Sequence, residues 1–94
     1  MDAVVLSQKI KVEKAALFGN DVSVCGMDYY VASELKKLID ALIPAEYYIG
    51  YILLDGEGIV FRKDCDCLAL VTVERNRIRW CLNKMKEIFG NEGG

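Results

Sequence analysis

Few residues in this 94-residue chain are equipped for chemistry. Histidine is absent, which removes Ser-His-Asp and Cys-His catalysis, His-ligated zinc and any histidine pH switch. Four cysteines stand at Cys25, Cys65, Cys67 and Cys81. A four-thiolate zinc site usually draws on pairs of cysteines with about two to four residues between them. Here one residue separates Cys65 from Cys67, and the other two cysteines stand alone. That spacing does not assemble four ligands, so neither a metal nor any other cofactor is expected. On a strand Cys65 and Cys67 would face one way, and a thiol or metal protein built on them is kept as an alternative. The plainer reading makes Cys25, Cys67 and Cys81 small buried hydrophobes. A reactive cysteine needs a helix N-terminus or nearby cations. Cys81 has Arg77 and Lys84 near it in sequence but falls on the apolar side of its helix. Asp55 and Glu57, then Asp64 and Asp66, occupy two successive turns of a meander, which place them at opposite ends of a sheet as turn residues. The chain is not expected to be an enzyme.

The residues that stand out are suited to contact. Trp80, the only tryptophan, lies about 160° around the last helix from the core stripe, at 100° per residue. Arg77 and Lys84 share that side, and Trp and Arg dominate interface energetics. The plainer alternative is that residues 1–12 cover the ring. Arg75, Arg77, Arg79, Lys84 and Lys86 make the last helix basic, but on both flanks of its apolar stripe. A nucleic-acid footprint prefers one continuous basic face, so a nucleic-acid partner is not expected. A single-stranded RNA module that stacks bases on Trp80 beside Arg77 and Lys84 is the alternative. Tyr47, Tyr48 and Tyr51 form a second aromatic group beside a broad apolar helix, with more apolar area than one small sheet buries. That excess predicts a homodimer or a protein partner.

The elements that must hold these residues follow from periodicity. Residues 3–14 are ambiguous: Val4, Leu6, Ile10 and Val12 favour extended structure, although the stretch would also serve as a short helix. Ala15–Phe18 and Val22–Cys25, split by Gly19-Asn20-Asp21, read as a hairpin. Asp28 is placed to cap a helix over 29–43, with Val31, Leu35, Leu38 and Leu42 as its apolar stripe and Ile39 and Ile43 beside it. Pro44 ends it. Residues 47–54, 59–63 and 67–73 read as a three-stranded meander, the last strand apolar enough to be central. A helix over 75–89 carries Ile78, Leu82, Met85 and Phe89 inward, flanked by Cys81 and Ile88, and Gly90 stops it. The order β-β-α-β-β-β-α predicts an α+β domain with one antiparallel sheet over residues 1–89 and a flexible tail over 90–94.

Composition agrees with one domain. Hydrophobic residues make up 53% and the formal charge is −2, which excludes an extended disordered chain. The longest apolar run falls far short of the roughly 20 residues a membrane helix needs. No basic, then apolar, leader opens the chain. A cytoplasmic protein with no membrane contact is expected.

Tyr47 to Phe89 resembles the second half of a roadblock-type domain, the dynein light-chain fold. That half has a strand, a hairpin and a terminal strand, then a helix opened by an acidic residue and an asparagine. Glu74-Arg75-Asn76-Arg77-Ile78-Arg79 stands at that opening. Ala15–Cys25 resembles the family's first hairpin and Tyr29–Ile43 its middle helix, so the likeness covers about residues 10–89. The family commonly has a glycine soon after that asparagine, where this chain has Arg77-Ile78, and its first helix is usually longer than residues 1–12. The resemblance implies a roadblock/profilin-like fold. It also implies a non-enzymatic module that dimerises through the middle helix and adjoining strand and regulates a small GTPase or the assembly of a complex.

Overall fold

A computed structural model describes residues 1–65 and 67–90. The elements are α1 (Ala3–Ile10), β1 (Lys14–Phe18), β2 (Val22–Cys25), α2 (Tyr29–Leu42), β3 (Tyr48–Leu54), β4 (Glu57–Lys63), β5 (Leu68–Glu74), a 3₁₀ turn (Arg75–Arg77) and α3 (Ile78–Phe89). The strands form one antiparallel sheet in the order β2-β1-β5-β4-β3. The domain is α+β, with the expected order of strands and helices after α1. The turn placed at Asp66 and the tail beyond Gly90 lie outside the described residues.

The N-terminal segment corrects the extended reading: it is a helix. Asp2 caps it by accepting from the Val5 amide at 3.0 Å. Ala3, Leu6, Ser7 and Ile10 are all buried, the i, i+3, i+4, i+7 pattern of a helix on a core. The alternation of Val4, Leu6, Ile10 and Val12 is coincidental to that pattern, since Val4 faces solvent. The helix ends at Lys11, whose left-handed backbone (φ 62°) lets its amide return to the Ser7 carbonyl.

The sheet separates two cores. On one face α1 and α3 pack over Ala15, Val60, Ala69, Val71 and Val73. On the other α2 packs over Ala16, Phe18, Ile59, Phe61, Leu68 and Leu70. Residues of β5 enter both cores, which explains why this central strand reads as almost continuously apolar. In α3 the buried residues are Ile78, Cys81 and Met85, with Leu82 and Phe89 only partly covered. The helix is therefore rolled slightly towards Cys81 relative to the expected stripe.

Two turns tie the meander. Leu54 pairs with Glu57 across Asp55-Gly56, and Gly56 takes φ +82°, a conformation glycine adopts without strain. Glu57 and Gly58, expected in that turn, belong to β4. At the other end of β4, Asp64 and Cys67 exchange backbone hydrogen bonds of 2.8 and 3.3 Å. Cys65 and Cys67 therefore sit in a turn rather than on a strand.

Candidate interaction surfaces

The middle helix departs most from its expected packing. Val31, Leu35, Leu38 and Leu42 were expected to face the core. The sheet instead receives Ala32 and Ile39, with Leu35 and Ile43 partly covered. Val31, Leu38 and Leu42 are exposed, Leu42 at 57%, and Tyr30 beside them at 69%. Two apolar faces thus run along one helix, and the sheet uses only one. Charges occupy the remaining flanks as pairs: Lys36 with Asp40 at 2.7 Å and Lys37 with Glu34 at 3.1 Å. Lys63 reaches across from β4 to the Ile43 carbonyl (2.8 Å) and to Asp40 (3.2 Å). These contacts fix the C-terminal end of α2 over the sheet. The hydrogen bond from Lys36, the largest influence, holds the Asp40 carboxyl below its ordinary pKa against the opposing cost of burial, with Lys63 assisting.

Among the described residues, strand β3 lies at the sheet's edge and pairs only with β4. Its sequence, Tyr-Ile-Gly-Tyr-Ile-Leu-Leu, carries no charge and no proline. Protein edges are ordinarily blunted by charges, prolines, bulges or shortness, and a seven-residue apolar edge uses none of the residue-based devices. Register places Gly50 opposite Phe61 and Ile52 opposite Ile59, so Tyr48, Gly50, Ile52 and Leu54 share the face that α2 covers. Tyr51 and Leu53 lie on the α3 face, both about half exposed.

The three tyrosines predicted to act together are therefore dispersed. The Tyr48 ring lies over Gly50 and stacks on Phe61 with centroids 5.9 Å apart. Tyr51 is on the opposite face. Tyr47 stands before β3, its hydroxyl 3.7 Å from Cys65 Sγ. Tyr30, Val31, Leu38, Leu42, Leu53 and Leu54 join the exposed apolar surface. The signal for α2 was present as a second stripe on its wheel, but nothing in the sequence said which stripe would meet the sheet.

Trp80 is 41% exposed, with the Arg77 guanidinium over its ring at 4.7 Å and the Lys84 ammonium at 5.9 Å. Arg77 also donates to the carbonyls of Lys11 (3.2 Å) and Ile10 (3.4 Å). One side chain thus fastens the end of α1 to the start of α3 and covers a face of the indole.

The cysteines divide. Cys81 is fully buried, and burial pushes its thiol up to about 11, with Arg77 pulling weakly the other way. It is therefore protonated at neutral pH. Cys25 is half-buried against Ser7, and Cys65 and Cys67 are exposed. The expectation of a buried Cys67 is corrected: the turn closed by Asp64 carries it outside the sheet. A hydrogen bond with Cys65 is the main cause that holds the Asp64 carboxyl below its ordinary pKa. Among the described residues no three Cys, Asp or Glu side chains converge to hold a metal ion. A cleft of about 580 Å³ beside this turn includes Phe18, Asp21, Arg62 and Phe89. Its one guanidinium, Arg62, is paired with Asp64 at 3.4 Å and lies over the Phe89 ring at 5.2 Å. Among the described residues no helix is long and apolar enough to cross a membrane.

No protein-family profile matches the chain. It is similar to an uncharacterized protein of the archaeon Archaeoglobus fulgidus, with 42% identity over 84 residues, which cover 89% of this chain and 91% of that relative.

Proposed function

The chain belongs to the same family as that Archaeoglobus fulgidus protein, and we propose that it is a non-enzymatic interaction domain that works as a homodimer. The observation that carries this reading is a pair of unsatisfied surfaces, the uncharged edge of β3 and the second apolar face of α2. Either alone is a liability for a monomer. Pairing β3 edge to edge with a second copy would satisfy its backbone groups and bring two α2 faces together on one side of a continuous sheet, covering Val31, Leu38 and Leu42. A two-fold arrangement suits this surface, because an isologous contact asks one patch to match itself.

The resemblance to roadblock-type domains extends the proposal. The element order supports it, and so does α1, a short opening helix where that family also opens on one. In this reading the dimer is a scaffold that regulates a small GTPase or the assembly of a complex. Light scattering on the purified protein at micromolar concentration tests the dimer. A mass of twice the 10.6 kDa chain is expected, and a single species at the chain mass overturns the proposal.

A further inference from the structure

A second surface lies where α1 ends and α3 begins, remote in sequence from the proposed dimer elements. We propose that this corner docks an acidic, apolar-containing segment of a protein partner, with Trp80 as the apolar anchor and Lys9, Lys11 and Lys84 as the cations that read its carboxylates.

The corner exists only in the folded chain. Arg77 joins its halves through the carbonyls of Ile10 and Lys11, which brings Lys9 and Lys11 to the side of α3 that carries Trp80 and Lys84. Ser7, 200° from Lys9 on α1, contacts Cys25 of β2, so Lys9 is on the flank away from β2, towards α3. The charge here is one-sided. The chain has 14 carboxylate residues against 12 cations, yet neither Ala3–Lys11 nor Arg75–Lys86 contains a single Asp or Glu. Among the described residues the one ion pair reaching in from the border is Glu87 to Lys84, long at 3.9 Å. An acidic chain with a cation-rich corner attracts anionic ligands there and repels them elsewhere.

The geometry favours a peptide over a nucleic acid. Base stacking uses an open indole face, and the Arg77 guanidinium already occupies one of the two at 4.7 Å. Two carbonyls hold that guanidinium, so it does not swing aside without loosening α1. Trp80 remains 41% exposed, which leaves part of the ring to an apolar side chain with carboxylates on either side. The ring is also pre-positioned by Arg77 and Lys84, which lowers the ordering cost of binding.

The sole tryptophan is its own reporter. The probe is a fluorescein-labelled peptide of alternating Glu and Leu, titrated at low salt, with Trp80 emission and label anisotropy read together. Saturable binding that changes Trp80 emission is expected. Lys84→Glu should weaken it about tenfold, whereas Lys37→Glu, the same charge change on α2, should leave it within about twofold. Circular dichroism checks that each variant folds, and Lys9→Glu serves in place of Lys84→Glu if the latter does not. Absence of saturable binding overturns the proposal. Equal losses for the α2 and α3 variants also overturn it, since binding would then follow net charge alone. Oligouridylate that binds more tightly than the peptide and is weakened by Lys84→Glu replaces the peptide with single-stranded RNA. The test is independent of the dimer, because monomer and dimer expose this corner alike.

Discussion

The two faces of the sheet are covered very differently. On one, α1 buries four of its eight residues and α3 three of its twelve. On the other, α2 is the longest helix of the three and buries two of its fourteen. The first face is the more fully covered: small residues (Ala3, Ser7 and Cys81) let two helices approach the strands, and Arg77 ties those helices together. The second face is half finished. Ala32 and Ile39, two turns apart, hold α2 to the sheet, while a second apolar stripe looks outward, and the β3 edge carries no charge. The contrast teaches that amphipathicity alone does not say how much of a helix a domain will bury. One helix over a five-stranded sheet leaves apolar surface that a second subunit is suited to cover.

The largest expected effect tests the open face. Leu38→Glu combined with Leu42→Glu places two charges in the proposed contact and should weaken self-association by about 3 kcal/mol, about a hundredfold in Kd. Because both residues are exposed, the monomer's own unfolding free energy should change by less than about 1 kcal/mol, apart from the stability that dimerisation adds. Sedimentation equilibrium reads the first and urea unfolding the second; an unchanged dimer in the double variant would break the comparison.

The more fully covered face makes a prediction about pH. The folded Cys81 thiol is pushed up to about 11 from an ordinary 9.0. Below pH 9 the thiol is protonated in both states and its burial is undisturbed. As pH rises from 9 through 11 the unfolded chain ionises first, so this contribution to stability is lost, by about 1–2 kcal/mol. Urea unfolding across that window should show a smaller loss for Cys81→Ala than for the natural chain. Equal slopes would mean that water reaches the thiol.

Smaller effects sharpen the picture. Gly50→Ala puts a Cβ 2.5 Å from Tyr48 Cε1. The ring must leave Phe61, at a cost of about 1 kcal/mol, visible as a loss of near-UV ellipticity. Trp80→Ala should alter stability least, within about 1 kcal/mol, and leave the mass in solution unchanged. A larger loss would show that Trp80 and Arg77 hold α1 in place.

The elements were legible where local chemistry and periodicity agreed. Asp28 caps α2 through the Tyr30 amide at 2.7 Å, the residue before Pro44 leaves the helical region, and β5 is central as its composition foretold. Trp80 stands on the solvent side of α3, where its wheel position put it. The N-terminal segment is ambiguous in sequence because residues 3–14 satisfy two periodicities, and only burial against β1 and β2 chooses the helix. The tyrosines were grouped by nearness in sequence, although Tyr48 and Tyr51 are an odd number of residues apart and so face opposite ways on a strand.

By itself, then, the sequence determined the hairpin, the meander, the two later helices and the absence of histidine chemistry, because caps, turns and apolar spacing act over a few residues. Tertiary structure alone decided which stripe of α2 meets the sheet, that α1 is a helix, and that Arg77 joins the end of α1 to the helix that carries Trp80. Each of these depends on surfaces distant in sequence coming into contact, and side-chain spacing within one element carries no record of what packs against it.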